Sequence, residues 1–531
     1  MSLRHLAPGI AAFGVAVLVA LIGFAASADQ PSEPALASGA SPTPRDGVVN
    51  LRLLGVNDLH GHLDPPRPGI GGAAWLDSHL DRATLPGRTI RVHAGDMVGA
   101  SPLVSSWFHD EPTIEATNLM GFDVGTVGNH EFDEGGDELL RLLGGGQRNG
   151  TEALKRDGSG KLVNTSAPDY SGARYPYVAA NTYDRDDELL LPPYRIVERA
   201  GVRVGFIGVT TESTSKFLLS RHSERFRFTD ISDAVNRWVP ELQRRGVEAI
   251  VVLAHSGAHT EPGDETSAAG EIIDEVGQMA DAVDVVIAGH SHSKLNVRVP
   301  NRDGSGDKLV VEALSYGVAY DRVDVAVDRA SGEVVSKSGS VPATSHDGMQ
   351  LDRAIQELVD RHAERIESLG DRVLGTAATP LTRANGELGR LAARSQRGFA
   401  KADVALVNSG SLRADLDPGP LTYADLFEVH AYDHPLLRMR MAGRELLDLL
   451  AGEDLGAVTP QLFVAGLRIA EDGTAASLGD GQPLEPAKVY TVVANELLAT
   501  GPGVSALHAP ARRGERVGSE VAALASGVAK R

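Results

Sequence analysis

Short apolar runs rich in β-branched residues recur at Val49–Val56, Thr89–His93, Val202–Val209, Ala249–Leu253 and Val283–Ala288, and each ends in a polar cluster. Between several of them lie stretches of helical periodicity, such as Ile231–Arg245 and Glu271–Ala280. This pattern predicts strands alternating with helices rather than either alone. Such alternation builds an α/β sandwich, whose functional residues gather where the strands end. Leu309–Val327 reads as antiparallel strands closing this part. Leu351–Leu369 reads as one helix with Ile355, Leu358, Val359, His362 and Ile366 on a single face. Beyond it, Val404–Val407, Leu436–Met441 and Val489–Ala494 mark a second globular region, and a connecting helix between two domains is the simplest account.

The 531 residues suffice for two or three domains, and 51 basic against 71 acidic residues give a net charge of −20. An acidic surface repels phosphate backbones, so no nucleic-acid polymer is expected as a partner. Small anions remain open to a local positive centre such as a metal. The chain has no cysteine. That excludes disulfides, thiolate catalysis, Cys-ligated zinc, iron–sulfur chemistry and a lipoprotein anchor. A metal site here must be built from His, Asp, Glu and Asn.

At the N-terminus, Arg4 and His5 precede an uncharged apolar run, Ile10–Ala26, and then Ala26-Ser27-Ala28. This small-x-small pattern makes residues 1–28 a signal peptide cleaved after Ala28 and the mature protein secreted or extracytoplasmic. Retained, the same run is a cell-surface anchor, and no stable membrane partner is expected otherwise. Residues 29–47, rich in Pro, Ser and Ala, read as a flexible tether. The expected division is then a first domain at 48–345, a connecting helix at 346–372 and a second domain at 373–531.

Five clusters in the first domain stand out: Asn57-Asp58-Leu59-His60-Gly61-His62, Gly95-Asp96, Gly128-Asn129-His130-Glu131-Phe132-Asp133, His255, and Gly289-His290-Ser291-His292. Alone, an Asp after a strand is a turn or cap residue and a strand-end His a structural one. Jointly they carry Asp-x-His, Asp, Asn-His, His and His-x-His at ends that one sheet edge brings together. In an extended backbone, residues two apart point the same way, so Asp58 and His60 can grip one cation. The set supplies enough donors for two divalent cations sharing a carboxylate. Two such cations lower the pKa of a shared water and clamp phosphoryl oxygens, which suits phosphoester hydrolysis.

The order of these clusters resembles the calcineurin-like metallophosphatases, more narrowly their secreted bacterial 5′-nucleotidase and UDP-sugar hydrolase branch. The resemblance implies a four-layer α/β/β/α metallophosphatase domain joined by a helix to an α/β substrate-specificity domain. It implies that Asp58, His60, Asp96 and His292 hold one metal. Asp96, Asn129, His255 and His290 hold the other, with Asp96 bridging, and the ions are Mn, Zn or Co. His130 and Asp133 match the catalytic dyad: His130 donates a hydrogen bond or proton to the phosphoryl group or leaving oxygen, and Asp133 orients it and favours its protonated form.

In the second region, Asn408-Ser409-Gly410-Ser411-Leu412-Arg413 and His430-Ala431-Tyr432 resemble the substrate-binding segments of the same family. By that similarity Asn408, Gly410 and Arg413 meet substrate phosphate and nucleoside groups, and an arginine fork suits phosphate oxygens. The residues alone also allow Arg413 an ion pair with Asp415 or Asp417. Arg383 and Arg390 are further candidate phosphate contacts. The family clamps a base between two rings; Tyr432 matches the first, whereas Leu497 stands at the second, and Gly501-Pro502-Gly503-Val504 replaces a Gly-Gly-Asp-Gly run. The implied function is release of phosphate from nucleoside 5′-monophosphates, with UDP-sugars as a further substrate class. The alternative on the same fold is a 2′,3′-cyclic-nucleotide or other phosphodiesterase. The alternative of another class is a catalytically silent surface binding protein.

Overall fold

The computed structural model describes residues 47–156, 161–261, 264–451, 462–469, 476–479, 481–501 and 504–529. The expected signal peptide, nearly all of the expected tether, and Pro502-Gly503 lie outside the described residues.

Two six-stranded sheets form the first domain. One runs in the order Val334–Ser340, Asp321–Asp328, Val48–Val56, Thr89–His93, Val124–Thr126, Tyr177–Val178. The other runs Lys294–Pro300, Asp307–Ala313, Val285–Ala288, Ala249–His255, Val202–Thr210, Tyr194–Arg199. Strands in the middle of each sheet run parallel. Their runs are nearly continuously apolar because both faces are buried. Along Val48–Val56, Leu51 and Leu53 enter the core between the sheets, where they share a cluster with Phe206, Val251, Leu253 and Ile287. The alternate Leu54 and Val56 belong to the cluster under the outer helices. Ala249–His255 divides in the same way, with Val251 and Leu253 between the sheets and Ile250, Val252 and Ala254 outside.

Helices complete four layers. Ala73–Ala83 and Glu111–Met120 cover the first sheet. Ile231–Arg244 and Glu271–Gln278 cover the second, with Asp230 capping the former by accepting a hydrogen bond from the Asp233 amide. The Leu309–Val327 stretch does form two strands, but they are not partners of each other. Asp307–Ala313 pairs parallel with Val285–Ala288, whereas Asp321–Asp328 crosses to the other sheet and pairs antiparallel with Val48–Val56. Alternation identifies a strand and leaves its choice of sheet open.

Arg353–Gly370 is the expected helix, capped by Asp352 and buried along Ile355, Leu358, Val359, Ile366 and Leu369. It packs into the outer layer of the first domain together with Phe427 of the second. His362 shares that face, its ring edge-on to Phe108 at 4.7 Å. The second domain is a five-stranded sheet in the order Leu462–Ala465, Val404–Asn408, Val489–Asn495, Pro435–Ala442, Glu515–Ser519. Glu387–Ala400 and Glu520–Val528 pack on one face, and Gly443–Ala451, Glu496–Thr500 and Ser505–Ala511 on the other. Among the described residues, no helix is long and apolar enough to cross a membrane.

Candidate metal centre

Asp58, Asp96, Asn129, His255 and His290 all stand at or just beyond the C-terminal ends of strands running in the central parallel parts of the two sheets. Side chains from five separated stretches therefore converge at one edge. Five of the ligand-type residues sit in the left-handed region that non-glycine residues avoid: Asp58 (φ 50), His60 (49), Asp96 (50), His290 (78) and His292 (54). Each costs about 1–3 kcal/mol and persists only where surrounding contacts over-determine it. Gly128 is held to glycine by proximity instead, since a Cβ there would stand 2.2 Å from Asp96 Oδ1 and 2.7 Å from the His255 ring.

The donor atoms form three groups, Asp58–His60–His292, His60–Asp96–His130 and Asp96–His255–His290, the last two sharing Asp96. His60 Nε2 lies 3.2 Å from His292 Nε2, and His292 Nε2 lies 3.4 Å from Asp58 Oδ1. On the other side, His255 Nε2 lies 3.0 Å from Asp96 Oδ2 and 3.1 Å from Asn129 Oδ1. His290 joins Asp96 and His255 in a group whose donor atoms all lie within 4.8 Å of one another. Ligands bound tetrahedrally at about 2.0–2.1 Å from one cation stand roughly 3.3 Å apart, so this spacing fits shared ions. His60 Nδ1 is 2.9 Å from the Gly99 carbonyl and His255 Nδ1 is 2.9 Å from the Ala94 carbonyl. A carbonyl only accepts, so both Nδ1 atoms carry a proton and both Nε2 atoms face inward, where His60, held neutral by burial, offers a lone pair and His255 holds a proton or a cation against Asp96. A proton or a cation between His60 Nε2 and His292 Nε2 accounts for their 3.2 Å separation.

Electrostatics tell the same story. Burial opposes ionisation of Asp58, yet His292 and His255 hold it down to about 2. Burial likewise opposes a charged His255, but Asp96 pushes it up to about 10. Burial and the neighbouring His255 lower His290 to about 4. Asp58 Oδ2 accepts from the Asn57 amide at 2.7 Å and the His290 backbone N–H at 2.9 Å. Its Oδ1 is buried and has no hydrogen-bond partner. A buried carboxylate oxygen without a hydrogen-bond partner, 3.4 Å from His292 Nε2 and 3.8 Å from His60 Nε2, fits a cation site.

His130 stands beside this cluster. Its backbone N–H donates to Asp96 Oδ1 at 2.8 Å, and its Nδ1 is 2.8 Å from Asp133 Oδ2. Burial disfavours the imidazolium, but Asp133 and Asp96 outweigh burial and raise its pKa. Its Nε2 lies 3.3 Å from the Tyr432 hydroxyl, and the two rings stack at 5.5 Å. Arg413 reaches the same place, its guanidinium 5.8 Å above the Tyr432 ring. The ion pair allowed for it with Asp415 goes instead to Arg383, at 3.1 Å. Arg390 is likewise committed to Glu387, at 2.9 Å. Both pairs lie at the exposed surface, where an ion pair is weak. Asn408 accepts from Asn495 within its own domain, Gly410 lies exposed in the turn Ser409–Ser411, and Leu497 is half-buried on Glu496–Thr500.

Several bracing residues escaped the sequence reading. Glu131 accepts from the backbone N–H groups of Asp96 (2.9 Å), Met97 (2.9 Å) and Gly128 (2.6 Å), tying two ligand loops together. Glu312 accepts from Ser291 Oγ and the Ser293 N–H, holding the His290–His292 loop. Its only signal was an acid within the apolar run Leu309–Ala313. Tyr316, itself left-handed (φ 59), donates its N–H to the Asp58 carbonyl and lays its ring 4.0 Å from that of His62.

Residues 51–294 match the family model for calcineurin-like phosphoesterases, and residues 371–508 match that for the 5′-nucleotidase C-terminal domain. The chain belongs to the calcineurin-like phosphoesterases that carry a 5′-nucleotidase C-terminal domain, a family of hydrolases that use divalent metals. It is 33% identical to the endonuclease YhcR of Bacillus subtilis over 86% of this chain and 37% of that protein. It is 30% identical to the cell wall protein Lmo0130 of Listeria monocytogenes over 86% of this chain and 64% of that protein. The chain thus spans well under two thirds of the one relative and just under two thirds of the other. Among solved structures, a 5′-nucleotidase precursor from Thermus thermophilus shares the fold with a TM-score of 0.72 at 24% identity, covering 91% of this chain and 96% of that one.

Proposed function

We propose that this protein is an extracytoplasmic phosphoester hydrolase that releases phosphate from nucleoside 5′-monophosphates and also accepts UDP-sugars. The observation that carries the reading is the set of overlapping donor groups, linked through His60 and Asp96, beside the His130–Asp133 contact. Asp58, His60, Asp96 and His292 would hold one divalent ion, and Asp96, Asn129, His255 and His290 a second. Bound there, such ions acidify a water and neutralise charge developing on the phosphoryl oxygens. The chain's own residues do the rest. Asp133 fixes the Nδ1 proton of His130, so that Nε2 points its proton at the phosphoryl group or the departing oxygen. Arg413 meets substrate anions, and Tyr432 offers a face to the group beyond the phosphate, with Asn408 and Gly410 contributing from the neighbouring strand end and turn. Export rests on the N-terminal pattern of residues 1–28.

The test uses protein lacking residues 1–47, stripped with chelator and reloaded with Mn²⁺, Zn²⁺ or Co²⁺, against AMP, UDP-glucose, a 2′,3′-cyclic nucleotide and p-nitrophenyl phosphate. The expected result is two ions per chain, activity restored on reloading, and AMP as the best substrate. Hydrolysis surviving complete metal removal overturns the reading. A second reading, a phosphodiesterase, is favoured by Leu497 in place of a second ring and by the endonuclease name of one relative. Preference for the cyclic diester would establish it. Absence of both metal and hydrolysis would point to a silent binding protein.

A further inference from the structure

Phe217 is one of the most exposed large apolar side chains, at 44%, and it stands against the metal-type ligands rather than on an outer face. Its ring lies 5.6 Å from that of His290 at an interplanar angle of 62°. A single exposed hydrophobe on a surface means nothing by itself. Here the flanks fix the exposure. Upstream, Thr214 donates to the Thr211 carbonyl at 2.7 Å, and Thr211 donates to Glu271 at 2.9 Å. Downstream, Leu218 and Leu219 are buried at 1% and 5%. The short helix Thr214–Phe217 thus buries its neighbours and presents its largest apolar group outward.

The same segment then meets the second domain. Ser220 donates to the Thr500 carbonyl, and Arg221 pairs with Glu496 at 3.0 Å. Both partners belong to Glu496–Thr500, the helix that carries Leu497. Phe217 therefore leads, within four residues, to the place where the expected second ring is missing. Tyr432 meanwhile stacks on His130, another histidine flanking Asp96. The centre has a ring at His130 from one domain and a ring at His290 from the other.

We propose that Phe217 is a specificity-determining residue: it supplies, from the metal-binding domain, the aromatic wall against which a planar leaving group such as a nucleobase packs. This rests on the phosphomonoesterase reading above. The substrates selected are phosphoesters whose leaving group carries a flat π-face, with Leu497 adding aliphatic contact only.

The test compares wild type with Phe217→Ala, Phe217→Leu and Phe217→Tyr on AMP and on ribose 5-phosphate, which has the same ester and no base. Adenosine binding by calorimetry to chelator-treated protein gives a readout independent of turnover. Metal content of the reloaded proteins checks that His290 is undisturbed. Phe217→Ala should lower the AMP over ribose 5-phosphate ratio of kcat/KM about fivefold to tenfold through KM, weaken adenosine binding to match, and be restored by tyrosine. Phe217→Leu should fall with alanine; if alanine alone loses metal, leucine decides. An unchanged ratio, or no adenosine binding in wild type, overturns the proposal. If wild type hydrolyses neither ester, the functional reading has failed, and the adenosine arm still judges Phe217.

Discussion

The hydroxyl of Tyr432 lies 3.3 Å from Nε2 of His130, although 302 positions and a domain boundary separate them. With Nδ1 engaged by Asp133, Nε2 is the nitrogen left to face a substrate, and the phenol occupies it. Tyr432→Phe keeps the stacked ring and removes this competitor. KM for AMP should fall by up to about fivefold, the worth of one hydrogen bond, with kcat within about twofold. Tyr432→Ala should raise KM about fivefold to tenfold. Steady-state kinetics distinguish the two, and a higher KM for the phenylalanine variant would mean that the phenol binds substrate.

His130→Ala should cost about 10²–10⁴ in kcat while leaving the bound metal unchanged, since the groups Asp58–His60–His292 and Asp96–His255–His290 are complete without it. Asp133→Asn should cost less, because it disturbs only the orientation and protonation of the ring. Elemental analysis alongside turnover is the check. Metal loss in His130→Ala would instead make the histidine a ligand, a role its 4.0 Å distance from Asp96 leaves open.

Glu131 accepts three backbone N–H groups with two oxygens. Glu131→Gln replaces one oxygen by an NH₂ group facing a donor. Leaving a buried N–H unpaired should lower stability by about 1–3 kcal/mol. Loosened loops should weaken metal binding about 10–100-fold. Denaturant unfolding and metal titration read the two effects, and unchanged metal affinity would show that the loops are held elsewhere.

Burial raises Asp284 to about 7, reinforced by Glu333 and Glu248 and opposed by the Ile250 N–H and by Lys337. The unfolded chain ionises this group freely from about pH 4, whereas the folded chain resists until about pH 7. Stability therefore falls as pH rises through that window, and the contribution is flat outside it. Asp284→Asn should flatten the decline while keeping an acceptor for the Ile250 N–H. Melting temperatures from about pH 4 to about pH 8 test this. A wild-type slope retained in the variant would assign the decline to another group.

The convergence of these side chains was legible in the sequence because strand-end position and residue type travel together. Asp58, His60, Asp96, Asn129, His255, His290 and His292 each follow or end an apolar run. The residues bracing them were not. Glu131 and Glu312 act on backbone N–H groups of other loops, and such donors look alike in any sequence. Arg413 was ambiguous for a related reason: its neighbour Asp415 is close along the chain, but Arg383, 32 positions away, takes it in space. The separation of Asp307–Ala313 from Asp321–Asp328 into different sheets depends on which core each strand joins, and local alternation is the same for both.

The left-handed backbone at Asp58, His60, Asp96, His290 and His292 sets a trap for anyone evolving a hardier form of this protein. Glycine would relax each of those five positions while deleting a donor. Selection for heat tolerance alone, with no demand for turnover, would accordingly drift toward sturdy chains that can no longer do chemistry.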